Sequence, residues 1–237
     1  DSTTGGSKIV SAEYSLDGTT WLSMYAADGA LDSPKEKIIA KLSVAKPGVY
    51  NLMVRGSDEM GNIASEKGTI LVVYDPNAGF VIGDGWIDSP AGAFTANPTL
   101  IGKATFRLVS QYEKGATVPT GQTEFTFQAA AMIFKSISYD WLVVSEARAQ
   151  CKGAGTINGA GNYGFTLIVT DEYIKGGGRI NKFRIKIWDK TTGRTIYDNN
   201  LGYPDSIPPI TAISGGSIDI HIKRERSESE EEPSNLR

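Results

Sequence analysis

The feature that most limits what this chain can fold into is a two-residue alternation that recurs along most of its length. In "KIIAKLSV", Ile38, Ala40, Leu42 and Val44 face one way with mostly polar residues between them. "VYNLMVR" repeats the pattern with Tyr50, Leu52 and Val54, and "EFTFQ" with Phe125 and Phe127. "FRIKIWD" sets Phe183, Ile185 and Ile187 against Arg184 and Lys186, and "SIDIHIK" offers Ile218, Ile220 and Ile222. A period of two is the signature of strands with one face buried. Turn formers separate the runs: "LDGTT" at 16–20, "KPG" at 46–48, "DEMGN" at 58–62 and "KTTG" at 190–193. The only stretch with helical leanings, "AAAMIFKS", is short. The pattern predicts an all-β chain.

A change of register comes at "YDPNAG", residues 74–79, where proline, asparagine and glycine follow the apolar run "TILVVY". We therefore expect a first domain over residues 1–75, of a size suited to a small sandwich. A larger antiparallel sandwich or barrel is expected over 76–222. The tail 223–237, "KRERSESEEEPSNLR", carries mixed charge and almost no apolar side chains, so it is expected to be disordered. The polar opening "DSTTGGSK" fits a mature product or an excised fragment equally.

Charge excludes one class of partner. With 24 Lys and Arg against 27 Asp and Glu, the net charge is −3, without the basic excess that nucleic-acid binding demands. Apolar runs such as "ILVVY" fall far short of a membrane span, so no membrane insertion is expected within the chain. Cys151 is the one cysteine and His221 the one histidine, which rules out an intrachain disulfide or a structural zinc site. The glycosylation triplet occurs only as "NPT" at Asn97, where proline blocks it.

Two motif sets resemble known families. "AEYSLDGTTW" followed by "PGVYNLMVRGSDEMGN" resembles the bacterial immunoglobulin-like or fibronectin-type modules of secreted proteins, over about residues 8–74. "GFVIGDGWIDSPAGAF", "GKATFRLVSQYEKGATVPTGQTEFTF", "GTINGAGNYGF", "DKTTGRTIYDN" and "GGSIDIHI" occur in order over about residues 79–222. Together they resemble the post-COAP modules of prokaryotic cell-surface proteins. In that family the first motif reads "GFVTGGGWI", so Asp84 stands here where a glycine is usual. The resemblances imply an immunoglobulin-like sandwich followed by a second β-domain. They imply an extracellular or cell-surface setting and a non-catalytic role, and they carry over no catalytic residue.

Several stretches could hold chemistry. The glycine-rich "CKGAGTINGAGNYGF", residues 151–165, superficially matches a phosphate-cradling loop. Such a loop must open a helix, whereas strand-like "WLVVSEARAQ" and "YGFTLIVTD" flank this one, so a hairpin turn is expected. His221 lies between Ile220 and Ile222 on a strand, without a nucleophile elbow nearby. Asp140, Glu146, Asp189 and Asp198 are available as paired carboxylates, but at strand ends such residues commonly cap turns. Calcium is the one cofactor the loop oxygens suit: Asp58 and Asn62 in "DEMGN" and Asp84 and Asp88 in "GDGWID" are the leading candidates, with Asp17, Asp198 and Asn199 behind them. The competing role for each is a bond to its own turn.

Four tryptophans raise the question of sugars. Trp188 shares a strand face with Arg184 and Lys186, which would make a cationic and aromatic strip if exposed; Trp86 is a second candidate platform. Trp21 and Trp141 read as core. The function expected is a non-catalytic structural or adhesive module, with an extracellular polysaccharide or a surface protein as partner. The alternative is a carbohydrate-binding accessory region of a larger secreted hydrolase.

Overall fold

The computed structural model describes residues 6–44 and 46–222. The expectation for the 223–237 tail lies outside the described residues. Chain contacts divide the protein into two units, one running to Val73 with Pro204–Ser206 and the other comprising Tyr74–Tyr203 and the chain from Ile207. Both are built of antiparallel strands, and the chain is all-β. Among the described residues no helix is long and apolar enough to cross a membrane.

The first unit contains β1 (Ile9–Ser15), β2 (Leu22–Ser23), β3 (Tyr25–Ala26), β4 (Ile38–Ile39), β5 (Gly48–Asp58) and β6 (Ile63–Val73). Four of them form a sheet in the order β2-β1-β5-β6, and β3 pairs with β4. The alternation in "KIIAKLSV" yields only the two residues of β4; residues 40–44 lie outside any strand. Periodicity reports which residues can share a face, but a strand also needs a neighbour to complete its ladder. The β5–β6 hairpin turns through Asp58–Asn62, with Gly61 at φ +82°.

The second unit is dominated by one nine-stranded sheet, in the order β14-β13-β12-β11-β10-β9-β8-β7-β15. Its strands are β7 (Gly79–Ser89), β8 (Gly102–Gln111), β9 (Thr120–Phe127), β10 (Met132–Ser145), β11 (Arg148–Ile157), β12 (Ala160–Thr170), β13 (Lys182–Asp189), β14 (Thr195–Asp198) and β15 (Gly215–Ile222). From β7 to β14 sequence neighbours are spatial neighbours, so each connection is a simple reversal. The apparent helix former "AAAMIFKS" contributes the end of a single 3₁₀ turn, Gln128–Ala130, and then enters β10.

This sheet rolls on itself in a sandwich-like manner, which is how its apolar face finds a partner. Phe106 of β8 stacks on Phe183 of β13 with ring centroids 4.1 Å apart, and Phe125 of β9 meets Tyr197 of β14 at 4.7 Å. Phe127, Phe134, Phe165, Leu167, Ile185 and Ile187 complete a core without solvent exposure. Buried hydroxyls are tied within it: Tyr197 donates to Ser89 Oγ at 2.8 Å, and Tyr139 and Thr123 share a hydrogen bond of 2.7 Å. Burial raises the Tyr139 and Tyr197 phenols above their ordinary range and pushes the Cys151 thiol up to about 12.

The glycine-rich stretch is the β11–β12 hairpin. Its turn is Asn158-Gly159, both at positive φ (+52° and +78°), with Ile157 paired to Ala160 across it. This matches the two-residue turn that Asn-Gly favours. No helix follows, so a phosphate cradle of the helix-terminus kind is absent from this segment. At Gly155 the reason for glycine is packing: a Cβ would collide with the Phe134 ring and the Lys135 carbonyl.

Candidate functional site

The residues singled out from the sequence fall into three different environments. The Arg184–Lys186–Trp188 strip does not exist as a surface feature. Arg184 is 1% exposed and forms a two-pronged ion pair with Asp198, its Nε donating to Oδ1 at 3.0 Å and its Nη2 to Oδ2 at 2.9 Å. Nη2 also donates to the Tyr203 carbonyl at 2.9 Å, while Asn200 N donates to Asp198 Oδ1. Asn199 extends the latch: its Oδ1 accepts from Ile185 N and its Nδ2 donates to the Phe183 carbonyl, as a strand neighbour would. The segment after β14 therefore lies over the outer side of β13. Alternation put Arg184 correctly on the face opposite Phe183 and Ile185, but could not show that chain returns to cover it.

Trp188 and Lys186 are both half-buried. Trp188 packs on Gly164 of β12, its cross-strand partner, where a Cβ would collide with the indole, and Lys152 Nζ stands 5.8 Å from the ring centroid. Trp21 and Trp141, expected in the core, are half-buried as well; the Arg55 guanidinium sits 4.1 Å over the Trp21 ring. Large amphipathic rings are rarely buried outright, which is the physical reason for the difference. His221 is exposed and stacks on Phe80 with centroids 4.2 Å apart.

The loop oxygens proposed for calcium are not gathered. Asp58 Oδ1 accepts from Met60 N at 3.0 Å and Asn62 N at 2.8 Å; Oδ2 accepts from Ser7 Oγ at 2.5 Å and Asn62 Nδ2 at 2.8 Å. The Ser7 hydroxyl and the Asn62 amide hold this carboxyl down at about 2. Asp17 and Asp189 cap their own turns in the same way, through Thr19 and Thr20 N and through Thr191 and Thr192 N. Asp84 and Asp88 are both exposed on β7, but four residue steps along the strand separate them by about 13 Å. Asp88 accepts from Ser214 Oγ at 2.7 Å. Among the described residues no three His, Cys, Asp or Glu side chains come together as a metal-binding group.

Trp86 and Asp84 are predicted residues that the structure brings together on an open surface. They line a groove of about 360 Å³ on the outer face of β7, β8 and β9 with Thr105, Arg107, Glu124 and Thr126. The register builds it. Asp84 is paired with Arg107, Arg107 with Glu124 and Glu124 with Lys135, giving a row of alternating charge across four strands. Two residues along, on the same face, Trp86, Thr105 and Thr126 form a second row. Trp86 rests on Gly215 of β15, where a Cβ would collide with the ring, and Lys103 Nζ lies 4.3 Å from the ring centroid.

Little of this groove is engaged internally. Glu124 pairs with Lys135 at 3.2 Å. Among the described residues, the side chains of Asp84, Trp86, Thr105, Arg107 and Thr126 make no hydrogen bond or ion pair to protein. Arg107, Glu124, Thr105 and Thr126 were missed from sequence. Alternation in "ATFRLVS" places Thr105 and Arg107 opposite Phe106 and Leu108, but which strands lie side by side is a property of topology. No family model matches the chain, and neither a curated protein nor a solved structure does.

Proposed function

We propose that this chain is a non-catalytic structural or adhesive module of a secreted or cell-surface prokaryotic protein. The observation that supports it best is the distribution of polar side chains. Buried polar groups such as Arg184, Asp198 and Asn199 are engaged in bonds that fix the fold, while Asp84, Thr105, Arg107 and Thr126 lie unengaged together on an open sheet face. General acid–base catalysis works best from groups tuned by burial and by their neighbours, whereas this face lies open to water. The order of motifs over residues 79–222 supports the surface setting. The same face favours a second reading, a carbohydrate-binding accessory region of a larger secreted hydrolase.

The test is incubation of the intact chain with insoluble polysaccharides and cell-wall preparations, with retention and reducing-end release measured together. Retention without release is the expected outcome. Release of reducing ends at a rate proportional to protein would overturn the non-catalytic reading.

A further inference from the structure

We infer that the groove on the outer face of β7–β9 binds a neutral glycan chain, with Arg107 and Asp84 as its hydrogen-bonding pair and Trp86 as its apolar wall. The inference rests on the adhesive reading above and gives it a place and a ligand class.

The argument starts from what the groove lacks. Exposed Arg and Asp side chains in register opposite each other commonly pair, yet Arg107 and Asp84 do not, although their backbones are direct neighbours. Two hydroxyls, Thr105 and Thr126, stand beside them in the adjoining row, each without a protein partner. The groove thus presents donors, acceptors and dual-function hydroxyls together, spaced across the strands by about 4.8 Å. That spacing is comparable to one sugar ring. A sugar hydroxyl can accept from the guanidinium and donate to a carboxylate at once, and such charge-assisted bonds are among the stronger polar contacts.

Charge then narrows the class. Arg107 stands between Asp84 and Glu124, with Lys135 beyond them, so the row is balanced. A uronate or sulfate chain laid along it would meet two carboxylates for the central cation. The chain as a whole is also acidic, at −3. A cationic polymer would in turn meet Arg107 at the centre and Lys103 over Trp86. A neutral polyhydroxylated chain is penalised by neither. The indole is seated on Gly215, which fixes the wall's orientation before a ligand arrives and lowers the entropy lost on binding. The groove is open along the strands' outer surface, which suits internal segments of a polymer over chain ends.

The experiment is native affinity electrophoresis of the full chain in gels containing a soluble β-glucan, a galactomannan or polygalacturonate. The expected result is retardation by at least one neutral polymer and none by polygalacturonate. Arg107→Gln and Trp86→Ala should each weaken that retardation by about tenfold or more, and Trp188→Ala should leave it unchanged. Arg107 and Asp84 are exposed and unpaired, so Arg107→Gln and Asp84→Asn test the site without threatening the fold. Retardation only by polygalacturonate, or retardation by a neutral polymer insensitive to Arg107→Gln and Asp84→Asn, overturns the inference. Retention on cell walls that survives both substitutions would leave the adhesive reading standing and the groove assignment wrong. Absence of any retardation would sink the groove assignment and reduce the module to a structural one.

Discussion

At the scale of single residues, Arg184 and Arg107 show how the same residue type on the same kind of strand position can serve opposite ends. Both alternate with core-facing side chains, Phe183 and Ile185 for one, Phe106 and Leu108 for the other. Arg107 stays in water, where its hydration costs nothing to keep. Arg184 is stripped of water and must recover that loss from Asp198 and the Tyr203 carbonyl. Removing one member leaves the other charge inside the fold without this two-pronged pairing. Asp198→Ala should therefore cost about 3–5 kcal/mol in urea unfolding. The double variant Arg184→Met/Asp198→Leu should be markedly less destabilised than the sum of its single changes, because no buried charge is left unpaired. Additive losses in the double-mutant cycle would show that the pair is not the latch described above. Nothing in the alternation distinguishes the two arginines. The signal that could have separated them is Ile168 in the neighbouring run "FTLIVT", an apolar side chain set between Thr166 and Thr170 on the outward face, as on a strand covered on both sides.

At the scale of elements, the sequence was most informative where a strand's two faces differ. β9, β13 and β15 follow their alternating runs closely, and the Asn-Gly turn of the β11–β12 hairpin was legible as a bend. Residues 40–44 were not, because alternation cannot say whether a neighbouring strand is present to accept the ladder. The candidate site was legible only in its β7 component, Trp86 and Asp84; its β8 and β9 components depend on strand order. The hairpin also separates two reasons for glycine that look identical in sequence. Gly155 has an ordinary backbone but no room for a Cβ, whereas Gly159 has open space around it and φ at +78°. Gly155→Ala forces the Phe134 ring and the Lys135 carbonyl aside, and overpacking of this kind costs about 1–3 kcal/mol. Gly159→Ala carries only the left-handed backbone penalty of about 1 kcal/mol. Denaturant midpoints should rank them in that order, with the near-ultraviolet circular dichroism of the aromatic core altered by the first alone. The reverse ranking would mean that the rings yield more easily than the turn.

At the scale of the whole molecule, the two units differ in how much apolar surface they bury. Among the described residues of the first unit, the buried apolar side chains are Ala12, Tyr14 and Ala26, each still 4–7% exposed. The second unit buries a continuous cluster running from Val81 to Ile220, to which every strand from β7 to β15 contributes a side chain at or below 1% exposure. Since apolar burial contributes roughly 25 cal/mol per Å², local opening should be much easier in the first unit. Its long strands β5 and β6 are hydrogen-bonded to each other along most of their length, so secondary structure alone would predict strong protection there. The two expectations can be told apart by amide hydrogen exchange on the intact chain. If burial governs, amides of Leu52 and Val54 exchange by local or sub-global opening well before those of Leu167, Val169 and Ile185. Such a gradient suits a module whose larger unit presents a rigid sheet face and whose smaller unit yields first under load or heat. Equal protection in β5 and β12 would mean that the small unit draws its stability from its ladder and turns, with Asp58 and its four hydrogen bonds as the first place to look.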